Sequence, residues 1–179
     1  VKLKSLQELK DKYGEMIKAA CKKHNLEEHL LAGLIWQESR GDWQAVSSVG
    51  AFGLTQVMPA TAKDRGYNLS TPEKQIYAGA DYLAWIDKHF SKGDVVKLLA
   101  AYNAGVGRLK DNKWKRFKET RDYVSKVQLH AEKYKQLLTE EAICGEELSN
   151  GSTVEKRSYR VWLRGWLPCL CSKASSQRK

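Results

Sequence analysis

The sequence predicts a mainly α-helical domain with an irregular, glycine-bearing loop inside it. Apolar residues recur every three or four positions through most of the chain up to Leu138. The periodic stretches end on asparagine, glycine or proline, the ordinary helix stops. No region carries the run of short alternating segments that a sheet requires. At 179 residues, the chain is long enough to close one hydrophobic core around a cleft.

Leu3, Leu6, Leu9, Tyr13, Met16, Ile17, Ala20 and Cys21 keep helical spacing, predicting an amphipathic helix to about Lys23 that Asn25 breaks. From Glu27, a second helix carries Leu30, Leu31, Leu34, Ile35 and Glu38, with Glu38 on the stripe of Leu30 and Leu34. A carboxyl thus stands where a core residue is expected. Gly41, Gly50, Gly53 and the pair Ser47-Ser48 then predict an irregular loop with at most a small β-hairpin.

Pro59 opens a short helix to about Asp64. Ser70 to Glu73 has the spacing of a capping box enclosing Pro72, ahead of a helix bearing Ile76, Ala80, Leu83, Ile86 and Phe90. Asp94 caps a helix with Val95, Leu98, Leu99 and Tyr102, which Gly105 and Gly107 end. The last periodic segment, with Tyr123, Val127, His130, Ala131, Tyr134, Leu137 and Leu138, spans roughly Glu119 to Leu138. Residues 1–138 are therefore expected to form the folded domain, and 139–179 a C-terminal tail, docked or flexible. Within that tail, Tyr159, Trp162, Leu163 and Trp166 form an apolar set able to dock on the domain.

The formal charge of +10 favours an anionic partner: nucleic acid, an anionic membrane surface or an acidic glycan. The densest positive stretch runs from Arg108 to Lys118, and its ordinary role is a solvated loop face. No helix-turn-helix, zinc or aromatic-platform motif supports nucleic acid. No segment is apolar and long enough to span a bilayer, the best being Val161 to Leu170 with Arg164 and Pro168 inside it. Cys21, Cys144, Cys169 and Cys171 form no C-x-x-C pair, and their pairing is open. His24 and His29 lie five apart, one more than a metalloprotease helix needs, and are expected to face solvent. No metal and no cofactor are expected.

Glu38 ends an apolar helix just before a glycine-bearing loop, so its carboxyl is expected to face a half-buried cleft. Withdrawal from water disfavours the charged form and raises the pKa, keeping a proton available for donation near neutrality. A capping or ion-pair role is the structural alternative.

Four segments go further. Gln37-Glu38-Ser39 is followed by Ala45-Val46-Ser47, then by Gly50-Ala51-Phe52-Gly53-Leu54-Thr55-Gln56-Val57-Met58-Pro59-Ala60-Thr61-Ala62. Ala101-Tyr102-Asn103-Ala104-Gly105 and Glu119-Thr120-Arg121-Asp122-Tyr123-Val124 complete the set. In this order, across about Leu26 to Val127, they resemble the soluble lytic transglycosylases, relatives of goose-type lysozyme. The resemblance implies a lysozyme-like, mainly α fold with a groove for peptidoglycan glycan strands, and Glu38 in the place of the catalytic acid. It implies cleavage of the MurNAc-GlcNAc β-1,4 bond with formation of 1,6-anhydro-MurNAc. Ser47, Gln56, Tyr102, Asn103, Glu119 and Tyr123 would bind substrate, Tyr123 beside the catalytic carboxyl. Tyr102 and Tyr123 also lie on apolar stripes, as plain core residues do.

Such an enzyme is expected to act as a monomer in the periplasm or cell wall, bacterial or phage-encoded. Two residues depart from the family pattern: Thr55 stands where Met is usual, which would weaken a sugar contact, and Trp43 where Pro is common, as a stacking face or as loop filling. The nearest alternative is a goose-type muramidase using Asp42 as a second carboxylate. A non-catalytic peptidoglycan binder is the other.

Overall fold

The computed structural model describes residues 2–149. The chain divides into two compact units, Val1–Glu141 and a second that begins at Ala142; the set Tyr159, Trp162, Leu163 and Trp166 lies outside the described residues. Helix α1 (Leu6–His24) starts where Ser5 Oγ accepts from the Glu8 amide, and stops at Asn25, whose φ of 53° places it in the left-handed region. Its stripe Leu9, Tyr13, Ile17, Ala20 and Cys21 is buried.

Helix α2 (Glu28–Ser39) is not amphipathic. Every residue from Leu30 to Trp36 is buried, so the stripe expected from spacing is instead a helix wrapped on all sides, the central helix of the core. Helices α3 (Pro59–Asp64), α4 (Pro72–Ile86), α5 (Val95–Ala104) and α6 (Lys118–Ser149) complete the architecture. Helices α1 and α4 pack together, as do α1 and α2, and α4 and α5. Between α2 and α3, isolated antiparallel bridges join Phe52 to Val46 and to Val57, and no regular strand forms there.

Three boundaries differ from the sequence expectation. The cap of α4 is Thr71, whose hydroxyl accepts from Lys74 N, not the Ser70–Glu73 box. Pro72 occupies the first helical position, so the capping residue must be the one before it. Phe90 leaves the apolar stripe, because α4 passes into a π-helical turn, Asp87–Ser91, that leaves this ring 40% exposed. Helix α6 runs beyond Leu138 to Ser149, since Thr139-Glu140-Glu141-Ala142 contains nothing that stops a helix.

Helices α2 and α6 meet at Gly33. A Cβ there would lie 2.6 Å from Ala131 N and 2.8 Å from Val127 O. Five residues later on α2, Glu38 meets Tyr123, four residues before Val127 on α6. The pairing advances along one helix and retreats along the other, so the two run antiparallel.

Candidate active site

Glu38 is the penultimate residue of α2, and Tyr123 sits in the second turn of α6. Tyr123 Oη donates to Glu38 Oε1 at 2.6 Å. Burial pushes the Glu38 carboxyl up from its usual 4.5 to about 7, partly opposed by that hydrogen bond, which favours the carboxylate. Tyr123 is only 7% exposed. Burial, reinforced by the nearby Glu38 charge, holds its phenol well above its ordinary range, so it stays a donor. With Oε1 occupied as an acceptor, the proton of the neutral acid resides on Oε2.

Tyr102, half-buried near the end of α5, donates through Oη to Thr55 O at 2.7 Å. Its phenol is also raised, first by burial and then by the Glu38 charge, which places it in the same electrostatic neighbourhood. Tyr123 belongs to the main core and Tyr102 packs against it, and each hydroxyl has a directed partner.

The loop from Gly41 to Met58 is pinned beside Glu38 by two side chains that sequence reasoning did not single out. Ser39 Oγ donates to Leu54 O at 2.9 Å and accepts from Gly41 N. Gln75, fully buried on α4, accepts from Leu54 N at 2.9 Å through Oε1, while its Nε2 donates to Trp43 O and Leu69 O, each at 3.0 Å. A Cβ at Gly53 would sit 2.3 Å from the Gln75 side chain, and Gly53 has φ 78°, so only glycine fits there. The one available signal was a polar residue inside the apolar spacing of α4.

Replacing Gln75 with Leu leaves the Leu54 amide and two carbonyls without partners. Urea denaturation is expected to show a loss of roughly 3 kcal/mol or more.

Gln56, at φ 48°, donates from Nε2 to Ala45 O at 3.0 Å and Gly53 O at 2.8 Å. Both partners are acceptors, so the amide nitrogen must face the loop and Oε1 is the atom left for other contacts. Ser47 Oγ accepts from Ala51 N at 2.9 Å, which leaves the hydroxyl proton to donate elsewhere. Asn103 and Glu119 are exposed, and no hydrogen bond among the described residues joins either to Glu38. Asp42 Oδ1 accepts from Gln44 N at 3.3 Å.

One sequence expectation changes, at His24. The Thr55 side chain is fully buried: Oγ1 donates to Gln75 O, and its methyl lies over Gly79. Trp43 packs partly buried against the main core. His24 does not face solvent but lies half-buried, 3.8 Å from Asp81 and edge-on to Tyr77. Among the described residues, no cluster of His, Cys, Asp and Glu is arranged to hold a metal.

The helical architecture, with a half-buried carboxyl on its central apolar helix, defines the class: a mainly helical, lysozyme-like domain. The chain belongs to the Transglycosylase SLT domain family, whose model matches residues 15–124, more than half of its length. It is 43% identical over 96 residues to the transglycosylase of Enterobacteria phage PRD1, covering 52% of this chain and 35% of that protein. It is 37% identical over 112 residues to membrane-bound lytic murein transglycosylase F of Pseudomonas fluorescens, covering 59% and 23%.

Among solved structures it resembles an inactive mutant of the lytic transglycosylase Slt from Pseudomonas aeruginosa, with TM-score 0.65 and 32% identity, covering 72% of this chain and 24% of that one. The 70 kDa soluble lytic transglycosylase of Escherichia coli gives TM-score 0.65 and 28% identity, covering 70% and 24%. The chain thus spans about a third or less of each of these relatives.

Proposed function

We propose that this chain is a peptidoglycan lytic transglycosylase in which Glu38 serves in turn as acid and base. Glu38 gives its Oε2 proton to the oxygen linking MurNAc C1 to GlcNAc, and the C1–O bond breaks. The 2-acetamido oxygen of the same sugar stabilises the positive charge at C1, as in substrate-assisted glycosidases. The Glu38 carboxylate then takes the proton of the MurNAc 6-hydroxyl as O6 bonds to C1. The acid is regenerated and no water is consumed.

Ser47 and Gln56 present a hydroxyl proton and a carbonyl oxygen to the acetamido group. Asn103 and Glu119 make contacts further along the strand, and Tyr102 closes the groove. Such a substrate places the activity outside the cytoplasmic membrane; among the described residues, no helix is long and apolar enough to cross one.

The observation that supports this best is the Tyr123–Glu38 hydrogen bond on a carboxyl raised to about 7. Mass spectrometry of digested sacculi tests the chemistry: anhydro products, lighter by one water, are expected, whereas reducing ends would establish a muramidase. Activity should fall as pH rises through about 7, where the acid loses its proton. In Tyr123→Phe, which removes the bond favouring the carboxylate, that alkaline limb should move to higher pH, read from kcat/KM against pH.

A further inference from the structure

The segment joining α5 to α6 contains Arg108, Lys110, Lys113, Lys115, Arg116 and Lys118 against the single carboxylate of Asp111. All six cations are exposed. Lys118 pairs with Asp122. Among the described residues, no ion pair engages the other five.

This segment is built rather than slack. It forms short 3₁₀ turns within Val106–Arg108 and within Lys110–Arg116, the latter broken by a kink at Asp111 and Asn112, whose φ values are 57° and 53°. Trp114, 6% exposed, anchors it to the core. The Arg108 guanidinium lies 4.5 Å from the centre of the Phe117 ring, and Phe117 is itself 41% exposed. The Arg121 guanidinium donates to Lys115 O. An ordered scaffold therefore carries five unneutralised charges, an arrangement that folding alone does not require and that self-repulsion disfavours.

Its place in the chain indicates the partner. The segment begins just after Tyr102 and ends just before Tyr123, the two tyrosines in the electrostatic neighbourhood of Glu38, so both of its ends are fixed near the proposed acid.

We propose that this basic segment binds the acidic peptide branches of the glycan, taking their free carboxylates as the strand lies in the groove. This rests on the peptidoglycan reading of Glu38. Lipid headgroups and nucleic acid carry anions too, but a peptide branch leaves the very muramic residue that is cut, which matches a cationic segment whose two ends lie near Glu38.

The test uses the full chain and a variant with Arg108, Lys110, Lys113, Lys115 and Arg116 all changed to Ser, with folding checked by circular dichroism. On peptide-bearing sacculi the variant should lose about tenfold in kcat/KM at low salt, a loss of the size several screened surface pairs supply together. On strands stripped of peptide it should match the unchanged chain. A loss equal on both substrates, or on neither, overturns the proposal.

A second arm needs no loop variant. The Glu38→Gln chain, sedimented with sacculi before and after conversion of their carboxyls to amides, should bind less after amidation; unchanged binding also overturns the proposal. Because this arm reads binding alone, a failure of the Glu38 chemistry would show separately, as absent turnover by the unchanged chain. If the loop variant loses binding only to anionic phospholipid vesicles, the segment is a lipid contact and the peptide assignment falls.

Discussion

The Glu38→Gln variant is expected to lose at least about a thousandfold in turnover of purified cell wall, measured as turbidity, while becoming the more stable protein at alkaline pH. The first effect follows from deleting the proposed proton donor and acceptor, since general acid–base catalysis alone contributes roughly 10²–10⁴-fold. The amide retains an oxygen to accept from Tyr123, so geometry is preserved and only the proton is lost.

The second effect follows from linkage. The folded-state value of about 7 lies above the ordinary 4.5, so between these values the folded protein holds a proton that the unfolded chain releases. Stability therefore falls as pH rises through this window, and the penalty is complete above about 7. The difference is worth roughly 3 kcal/mol. Thermal unfolding should show Glu38→Gln above the unchanged chain at alkaline pH, with the gap closing as pH falls from about 7 to 4.5. A variant that loses activity but gains no stability would show that the carboxyl is not desolvated.

Gly33→Ala should destabilise the fold by about 2 kcal/mol or more and lower activity as well. In an exposed helix this change stabilises by about 1 kcal/mol, because alanine is the better helix former. At Gly33 the added methyl would meet Ala131 N at 2.6 Å and Val127 O at 2.8 Å. Both are backbone atoms of α6, so the helices must part rather than a side chain rotate. Because Tyr123 rides on α6 and Glu38 on α2, the separation lengthens their hydrogen bond. Chemical denaturation and turbidity assays on one preparation check both effects; a stabilised Gly33→Ala would contradict the close approach.

The helices were legible because burial writes a 3.6-residue period into the chain, as in Leu9, Tyr13, Ile17 and Ala20 of α1, and because caps such as Asp94 act on neighbours three residues away. Glu38 was legible for the same reason, as a carboxyl out of place in an apolar run. The end of α6 was not, since nothing local stops a helix at Leu138. Nor was the roll of Gln75, whose three partners lie 6, 21 and 32 residues away.

By itself, then, the sequence determined the helical elements, the candidate acid and the segments that gather around it. The family resemblance, though no local spacing, implied that Tyr123 lies beside Glu38, 85 residues away in the chain; only the tertiary structure decided that α2 is wrapped on every side and that Gln75 and Ser39 hold the loop. Periodicity and capping are local and leave a trace at fixed spacing. Desolvation and long-range hydrogen bonds depend on which surfaces meet, and no spacing along the chain encodes that.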